Sequence, residues 1–324
     1  MNINPNHLLE IRDLNVRFYT YQGILDAVDI DSLTLDRRQS LGLVGETGCG
    51  KTVTSLAILG LISYPGKIER GSVVFDGDDL VGKSEEKMRA IRGRRISMIF
   101  QNPTSSLNPV FTIGDQIEVV IRLHQKVNTS EARKRTIEML SLVQMSDPEK
   151  VVGAYPHELS GGMCQRAMIA MALACKPDLL IADEPTTALD VTIQAQILKL
   201  MKGLREKFDT SILLITHDLS VVAQTCDRVA VMYAGNKIEY GSVRDIFKDP
   251  KHPYTQGLLK AIPRISTSQD RLVGIDGTVP SMIEPPSGCR FHPRCPHARE
   301  ICSVEKPRSI ELCDEHCVSC VLYY

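Results

Sequence analysis

The spacing of apolar residues along the chain predicts strands and helices in alternation. Residues 8–18 and 71–78 alternate apolar and polar side chains, which is typical of strands with one exposed face. Continuous apolar runs at 179–182 and 211–216 predict strands buried on both faces of a parallel sheet, and the helical pattern of 192–207 lies between them. This alternation indicates a doubly wound α/β core.

Two other stretches interrupt or follow that core. A short strand is predicted at 96–100, and a charged helical pattern extends from about residue 113 to residue 144, which indicates a helical insertion. Beyond residue 249, prolines and turn-forming residues replace the longer periodicities. We therefore place a domain boundary there and expect residues 250–324 to form a small, irregular tail.

A glycine-rich segment, Gly45–Thr52, has the pattern GxxxxGK followed by Thr. It lies between an apolar run at 40–44 and a helical pattern at 53–61, the strand–loop–helix context in which this pattern binds phosphate. Backbone N–H groups of such a loop surround phosphate oxygens. Lys51 can reach the β- and γ-phosphates, and the Thr52 hydroxyl can bind Mg²⁺. The chain is therefore predicted to bind a nucleoside triphosphate.

Composition and charge narrow the class of protein. The 324 residues include 38 basic and 39 acidic side chains, so no global positive field favours nucleic acid as a partner. The N-terminal residues lack the basic and apolar regions of a secretory signal. The longest apolar runs, such as 167–175, are far shorter than the ~20 residues that span a bilayer. We expect a soluble, cytoplasmic chain whose membrane role, if any, depends on partners.

Two further motifs carry chemistry. Asp183 ends a buried strand and is suited to hold the Mg²⁺ shell, and the adjacent Glu184 can polarise an attacking water. Ser160 is suited to cap a helix, and Gly161 and Gly162 permit close approach of an anion to that helix N-terminus. This second phosphate-type site has no lysine of its own, which suggests that it completes another site.

In combination these motifs resemble the ATP-binding cassette (ABC) family, in the same order along the chain. The segments that carry the resemblance are Gly45–Thr52, Gln101, Leu159–Met163, Asp183–Glu184, Ala188–Asp190 and His217. The resemblance implies an ABC nucleotide-binding fold, with a RecA-like parallel-sheet core and antiparallel β and helical subdomains. It also implies an ATPase in which two cassettes enclose two ATP molecules, each between the phosphate loop of one subunit and the Leu-Ser-Gly-Gly segment of the other.

The resemblance also implies a role for each matched residue. Glu184 would be the general base, His217 would contact the γ-phosphate, and Gln101 would sense Mg²⁺ or the attacking water and couple the site to a membrane partner. Asp190 would communicate across the dimer. The implied nucleotide contacts are Phe18, Tyr19, Gly45, Glu46, Thr47, Gly48, Cys49, Gly50, Lys51, Thr52, Val53, Ser160, Gly161, Gly162, Asp183 and Asp190. The implied Mg²⁺ ligands are Thr52, Gln101 and Asp183.

Two details of the nucleotide site stay open at the level of sequence. Phe18 aligns with the family's adenine-stacking position, but Tyr19 and Tyr21 are close enough to take that role. The Leu-Ser-Gly-Gly segment ends in Met163, where the family most often has glutamine. Methionine cannot donate a hydrogen bond, so we expect Ser160 and backbone N–H groups to supply most contacts to the anion.

Within that family, the chain resembles the ATPases of oligopeptide and dipeptide importers, whose relatives move nickel or antimicrobial peptides. Phe100–Pro109, Leu159–Met163, His252–Gln256 and the cysteine-rich tail carry this resemblance. It implies an ABC ATPase domain at 1–249, with a helical subdomain at about 101–163, and a C-terminal oligopeptide-transporter-type domain at 250–324.

The same resemblance implies partners and a location. Residues 101–163 would dock coupling helices of two transmembrane permease subunits, with a turn at Asn108 and Pro109 shaping the groove. A second ABC ATPase would pair with this chain as a hetero- or homodimer, and an extracytoplasmic solute-binding protein would act indirectly. The chain would then lie peripherally on the cytoplasmic face of the membrane.

Six of the ten cysteines lie between Cys289 and Cys320, which favours a metal or cluster site over a disulfide framework. Only Cys317 and Cys320 form a CxxC pair of the kind usual for zinc, and the irregular spacing suits an iron–sulfur cluster better. The importer resemblance implies a 4Fe–4S cluster on the following four residues, with Cys313 as a substitute: Cys289, Cys295, Cys302 and Cys320. Zinc, free thiols and disulfide-linked thiols are the alternatives.

Three functions are compatible with these motifs. The first is a subunit that hydrolyses ATP to power import of di- or oligopeptides, or of nickel or another solute. The second is a soluble ABC ATPase that acts on nucleic acid or ribosomes, but the single cassette and the lack of a heptad run or basic block disfavour it. The third is an ATPase gated by redox change in the tail. We expect the first function, with no nucleic-acid partner.

Overall fold

The structure is a computed structural model that describes residues 6–187, 189–262, 274–313 and 315–324. Ala188, part of the predicted motif at 188–190, and residues 263–273 of the tail lie outside the described residues. The chain divides into two compact units. Gly82–Leu213 forms the second unit, and the segments on either side of it form the first unit.

The first unit begins with five strands and one helix: β1 (His7–Thr20), β2 (Gly23–Asp36), β3 (Ser40–Val44), α1 (Lys51–Ile58), β4 (Gly66–Phe75) and β5 (Asp78–Asp79). Four of the strands form an antiparallel sheet in the order β2-β1-β4-β5. The strand predicted at 8–18 is confirmed. Strand β2 was not predicted, although it returns directly from β1 through the two-residue turn at 21–22.

The second unit is mainly helical, with elements α2 (Glu85–Ile91), β6 (Ile96–Ile99), α3 (Pro103–Ser106), α4 (Ile113–Gln125), α5 (Thr129–Leu142), α6 (Pro148–Val151), α7 (Gly161–Leu173), β7 (Leu179–Asp183) and α8 (Val191–Phe208). The helical pattern at 113–144 forms two helices, because Lys126 adopts a left-handed conformation with φ 51° after α4. The Asn128 side chain then caps α5 by accepting a hydrogen bond from the Glu131 N–H. Strands β6 and β7 pair in parallel.

Strand β8 (Ser211–Thr216) begins in the second unit and ends in the first. The first unit continues with α9 (Leu219–Thr225), β9 (Arg228–Tyr233), β10 (Asn236–Ser242), α10 (Val243–Lys248), α11 (Pro253–Lys260), β11 (Ile310–Cys313) and β12 (His316–Val318). Its second sheet has the order β11-β12-β10-β9-β3. Within it β3 and β9 are parallel, whereas the other pairs are antiparallel.

The C-terminal tail packs into the core of the first unit. Phe291 is only 2% exposed and belongs to the same hydrophobic cluster as Val44, Tyr233 and Tyr254. The three aromatic rings of this cluster meet edge to face, with centroids 4.7 to 5.4 Å apart. Together with strand β12 on β10, Phe291 anchors the tail, whose other described elements are the helix α11, short 3₁₀ turns and the strand β11.

These features agree with the predicted α/β fold class, which combines a parallel-sheet core with an antiparallel sheet and a helical segment. The strands predicted at 179–182 and 211–216 are β7 and β8, and the helix predicted at 192–207 is α8. In the described part of the chain, no helix is both long enough and apolar enough to cross a membrane.

Candidate functional site

The phosphate loop, Gly45–Thr52, connects β3 to the first turn of α1 as predicted. Its backbone needs glycine at Gly50, where φ is 98° and a Cβ would lie 2.5 Å from the Ala27 carbonyl oxygen. At Gly48, with φ 81°, an added Cβ would meet no described atom within 4 Å, so the backbone there borders open space. The loop therefore presents accessible main chain beside a helix N-terminus, whose first N–H groups have no intrahelical acceptors.

The Lys51 side chain is folded into the loop. Its Nζ donates to the Gly45 carbonyl at 2.8 Å and to the Glu46 carbonyl at 3.0 Å, and it lies 3.6 Å from Cys49 Sγ. The Thr52 side chain, in contrast, is exposed. A phosphate that binds Lys51 must therefore replace acceptors that the loop itself supplies.

Two residues of the C-terminal third contact the loop at Glu46. The Glu46 backbone N–H donates to the Tyr254 hydroxyl at 3.0 Å. The Glu46 carboxylate accepts two hydrogen bonds from Arg294, at 2.8 and 3.3 Å. Burial disfavours the Arg294 charge, but the hydrogen bonds that Arg294 donates to Glu46 and Tyr233 outweigh burial and raise the pKa of Arg294 above its ordinary value. Sequence reasoning missed both contacts, since Tyr254 and Arg294 lie more than 200 positions from the loop.

The three candidate adenine-stacking residues differ in their exposure and in the contacts that they already make. Phe18 is half-buried, and its ring packs so close to Gly66 that a Cβ there would lie 2.6 Å from the ring. The Tyr19 hydroxyl donates to Glu69 at 2.8 Å. Tyr21 is 97% exposed. All three remain candidates, and the Tyr21 ring is the most accessible.

His217 follows the last residue of β8 and is exposed. The segment after it is held rigidly, because the Asp218 N–H donates to Thr216 Oγ1 at 3.0 Å. The Asp218 carboxylate in turn accepts from the Ser220 N–H at 2.8 Å and caps α9. His217 therefore presents its ring to solvent at a fixed strand end of the first unit.

Within the second unit, the structure brings Gln101 and Glu184 together. Gln101 Nε2 donates to Glu184 Oε2 at 3.0 Å, and Thr187 Oγ1 donates to the same oxygen at 2.8 Å. The Glu184 backbone has φ 46°, a conformation that non-glycine residues adopt rarely and at some cost. Asp183, which ends β7, is only 4% exposed. The two carboxylates thus differ in environment, and only Glu184 is half-exposed.

The Leu-Ser-Gly-Gly segment forms the N-terminus of α7 as predicted. Ser160 is the N-cap, and its side chain accepts from the Met163 N–H at 3.4 Å. Ser160 and Gly161 are exposed, so this helix N-terminus is open to an approaching group. Asp190 caps α8 in the same way, accepting from the Ile193 N–H at 2.9 Å.

The four cysteines predicted as cluster ligands lie around one small cavity of the first unit. The cysteine cavity, as we call it, is lined by Cys289, Cys295, Cys302, Cys320 and His252, together with mainly apolar neighbours. Of the other tail cysteines, Cys313 is exposed on β11 and Cys317 lies on β12, and neither lines the cavity. The four cysteines that the family resemblance implies as ligands therefore line one cavity, whereas the proposed substitute Cys313 lies outside it.

Backbone N–H groups lie beside the cavity sulfurs. The Arg299 N–H donates to Cys302 Sγ at 3.3 Å, and the backbone at Phe291, His297 and Leu322 acts to lower the pKa of Cys289, Cys295 and Cys320 respectively. Burial outweighs this effect and raises the pKa of Cys289 to about 11. Thiols with backbone N–H groups beside them are a donor set that suits the thiolate ligands of an iron–sulfur cluster.

The same cavity does not have the geometry of a single-ion site. Among the described residues, no group of three or more His, Cys, Asp or Glu side chains is close enough to hold a metal ion. A zinc site needs its ligands about 2.3 Å from one point. A cluster carries its thiolates on separate iron atoms, so its ligands lie farther apart than those of a single zinc ion.

His252 was singled out in the sequence only as part of a family motif. Its ring is 1% exposed, and its Nδ1 accepts the Tyr254 N–H at 3.1 Å, capping α11. Burial lowers the pKa of His252 to about 4, so the ring is neutral at physiological pH. Its Nε2 is buried and has no hydrogen-bond partner among the described residues.

Two family profiles match the chain. One, described as ABC transporter, covers residues 28–187. The other, described as the oligopeptide/dipeptide transporter C-terminal region, covers residues 238–302. The second match begins in β10 and includes His252 and three of the four cavity cysteines.

Curated relatives are similar along almost the whole chain. The chain is 50% identical over 316 residues to the dipeptide transport ATP-binding protein DppD of Bacillus subtilis, covering 97% of this chain and 94% of that protein. It is 51% identical over 318 residues to the oligopeptide transport ATP-binding protein OppD of the same organism, covering 98% and 89%. OppD of Salmonella typhimurium is 49% identical over 302 residues, covering 93% and 90%.

A solved structure supports the fold. A dimeric ATP-binding cassette in a post-hydrolysis state, bound to ADP and phosphate, matches with a TM-score of 0.64 and 26% identity. The match covers 73% of this chain and 99% of that chain.

Proposed function

The chain belongs to the ABC transporter family, among the ATP-binding proteins of dipeptide and oligopeptide transport, and we propose that it hydrolyses ATP to power peptide import. The observation that carries this proposal is the identity of about half of all residues to DppD and OppD over nearly the full chain. The strand–loop–helix at Gly45–Thr52 supports it with the geometry of a phosphate-binding loop. Those relatives do not favour a soluble ATPase acting on nucleic acid or ribosomes.

ATP binding uses the two exposed helix N-termini. The phosphates lie on the loop N–H groups and Lys51, and the Leu-Ser-Gly-Gly segment of a second cassette closes the site from the other side. The exposure of Ser160 and Gly161 supports this role, because a half-site must be accessible to a partner. The adenine stacks on Phe18, Tyr19 or Tyr21.

Hydrolysis depends on Glu184 as the general base. Its carboxylate is held by Gln101 and Thr187, which orients the group that accepts a proton from water. Gln101 also reports the presence of Mg²⁺ or water, because any movement of its amide changes the Glu184 hydrogen bond. His217 contacts the γ-phosphate. Thr52, Gln101 and Asp183 would hold Mg²⁺, whose charge would stabilise the transferring phosphoryl group.

The cysteine cavity holds a 4Fe–4S cluster in this proposal, with Cys289, Cys295, Cys302 and Cys320 as its ligands. Two observations support the fit: four thiols line one cavity with backbone N–H groups beside them, and the cavity is bordered by the buried Nε2 of His252, which has no partner among the described residues. When bound, the cluster would link the separate segments of the tail that carry its four ligands, in addition to the packing of Phe291 in the core.

The partners are two transmembrane permease subunits and a second ABC ATPase, with a solute-binding protein acting indirectly. The helical segment of the second unit is the docking surface. Exposed apolar side chains in this segment, including Val110 at 71% and Phe111 at 51%, support that assignment. Next to them, Asn108 forms a turn by accepting the Val110 N–H at 3.1 Å. The chain therefore lies peripherally at the membrane, on its cytoplasmic face.

The Glu184→Gln variant tests the central claim. The complex is purified in mild detergent from the native host, and its chains are identified before ATP turnover is measured. Glutamine keeps the shape of Glu184 but cannot accept the proton, so we expect ATP binding to persist while kcat falls about 100-fold or more. Glu206→Gln, at an exposed position on α8 outside the proposed docking surface, is the matched control and keeps normal turnover.

Two results would contradict the proposal. Sustained hydrolysis by Glu184→Gln removes the general-base assignment. Purification with ribosomal proteins or DNA, and without multispanning chains or a second cassette, removes the importer assignment.

A further inference from the structure

His252 is held rigidly between two elements of the first unit. Its backbone N–H donates to Glu239 Oε2 of β10 at 3.0 Å, and its ring Nδ1 accepts from the Tyr254 N–H of α11. The ring also packs against Phe291, with centroids 5.6 Å apart. These contacts fix the ring at the wall of the cysteine cavity.

The hydrogen bond at Nδ1 decides where the ring proton lies. An imidazole nitrogen that accepts an N–H cannot carry a proton of its own, so the neutral ring is protonated at Nε2. Nε2 is buried and has no partner among the described residues. Buried N–H donors are rarely left unmatched, because they lose their hydrogen bonds to water. The Nε2–H group therefore calls for an acceptor that the described residues do not supply.

The cavity offers sulfur as that acceptor. Besides the four cysteines, its lining consists of proline, aliphatic and aromatic side chains and the imidazoles of His252, His292 and His297. His292 is already engaged, since its Nδ1 lies 2.9 Å from the Cys289 carbonyl oxygen. Among the described residues, no carboxylate lines the cavity, so the cysteine sulfurs are its available acceptors.

We propose that His252 Nε2–H donates a hydrogen bond to a sulfur atom of the 4Fe–4S cluster and raises the cluster's reduction potential. This inference rests on the cluster assigned under Proposed function. Reduction adds negative charge to the cluster sulfurs, which makes them better acceptors, so a fixed N–H donor stabilises the reduced state more than the oxidised one. His252 thus tunes the cluster without being one of its ligands.

Two substitutions separate this role from the capping role of the same ring. His252→Asn keeps an acceptor close to the position of Nδ1 and remains a good helix N-cap, but it has no group at the position of Nε2. His252→Gln places an amide N–H near the position of Nε2 and gives up the cap. If His252 acts only as a helix cap, His252→Asn should disturb the cluster less than His252→Gln. If His252 donates the proposed hydrogen bond, His252→Gln should change the reduction potential less than His252→Asn.

The experiment uses full-length protein reconstituted anaerobically with iron and sulfide. Iron and sulfide content are measured first, and the cluster is then titrated potentiometrically in the wild type and both variants. For His252→Asn we expect about a tenfold lower ratio of reduced to oxidised cluster at a given applied potential, a shift of about 59 mV to more negative values for one electron. For His252→Gln we expect at most about half of that shift.

Each outcome decides between the claims. Wild-type protein without stoichiometric iron and sulfide overturns both the cluster and the hydrogen bond. A cluster whose potential is the same in His252→Asn as in the wild type overturns the hydrogen bond alone.

If His252→Asn does not retain a cluster, pulsed electron paramagnetic resonance of the reduced wild type, labelled with ¹⁵N-histidine, gives the answer. We expect the wild type to show a coupling to an imidazole nitrogen that His252→Gln, whose amide is unlabelled, lacks; His292 and His297, which also line the cavity, contribute equally in both proteins. A wild-type spectrum without this coupling, or one identical to that of His252→Gln, overturns the inference.

Discussion

The phosphate loop and the cysteine cavity are built in opposite ways within the first unit. The loop is eight consecutive residues, and its lysine is already satisfied by acceptors from the same segment. The cavity is assembled from residues spread between His252 and Leu322, and the buried Nε2 of His252 at its wall has no partner in the described part of the chain. A contiguous site can order itself, whereas a dispersed one depends on the fold or on the group that it binds.

Two side chains nevertheless join these regions. Arg294, adjacent to the cavity residue Cys295, pairs with the Glu46 carboxylate of the loop. Tyr254, two residues after His252, accepts the Glu46 N–H. The loop is thus contiguous in sequence, but its Glu46 is held by two residues, Arg294 and Tyr254, from the same segment that forms the cavity. We expect substitutions in the loop to lower ATP affinity strongly, and substitutions of Arg294, Tyr254 or the cavity cysteines to lower it less.

The largest loss of ATP affinity is expected for Lys51→Ala. The substitution removes a charge-assisted contact to phosphate worth about 1.5–3 kcal/mol, so affinity falls roughly 10- to 100-fold. Titration with a fluorescent ATP analogue measures it. Lys67→Ala, which removes an exposed lysine paired with Glu69, is the control and keeps wild-type affinity. Iron content stays at the wild-type level in both. Unchanged ATP affinity in Lys51→Ala would contradict the phosphate-loop assignment.

A loss of about tenfold is expected for Arg294→Gln. The Arg294 side chain is 7% exposed, so its ion pair with Glu46 is shielded from water. Without Arg294, an uncompensated carboxylate lies beside the bound triphosphate and repels it by about 1.4 kcal/mol. Isothermal titration calorimetry measures the change. Lys306→Gln, which breaks the partly exposed pair with Asp29, leaves ATP affinity unchanged.

The double variant Arg294→Gln/Glu46→Gln distinguishes two causes of the lower affinity: repulsion of ATP by the unpaired Glu46 carboxylate, and loss of the contacts that Arg294 makes to its neighbours. If the unpaired carboxylate causes the loss, removal of both charges restores most of the affinity. A double variant as weak as Arg294→Gln would show instead that Arg294 acts by holding residues 275–276, whose carbonyls also accept from its guanidinium.

A smaller loss of ATP affinity, about fivefold, is expected for Cys289→Ser. The substitution removes a cluster ligand, so we expect the cluster to be lost and the 3₁₀ turn that carries Arg294 to become less ordered. Absorbance, iron content and limited proteolysis of residues 250–324 measure the effect on the cavity. Cys313→Ser is the matched control, because that thiol lies outside the cavity. Full iron content in Cys289→Ser, or its loss in Cys313→Ser, would contradict the ligand assignment.

The contrast between the two regions also explains what the sequence could predict. Gly45–Thr52 and Ser160–Gly162 are local motifs whose spacing alone defines a strand–loop–helix or a helix cap, so their conformations follow from pattern. The cavity cysteines were found through their clustering and through family resemblance, because spacing does not reveal which thiols meet. His252 and Tyr254 lie in a segment that carries the family resemblance, but their contacts and those of Arg294 could not be predicted, since each contact joins residues far apart in the sequence.

The smallest effect, about threefold, is expected for Tyr254→Phe. The ring is fully buried against Tyr233 and Phe291, and phenylalanine preserves that packing while removing the acceptor of the Glu46 N–H. A neutral hydrogen bond contributes about 0.5–1.5 kcal/mol, so the less ordered loop binds ATP about threefold more weakly. Burial raises the pKa of Tyr254 above its ordinary value, so the hydroxyl stays protonated and the loss is the same from pH 6 to pH 9. Calorimetry at those two pH values measures it. Stronger binding by Tyr254→Phe would reverse the interpretation, because the hydroxyl would then be competing with phosphate for the Glu46 N–H.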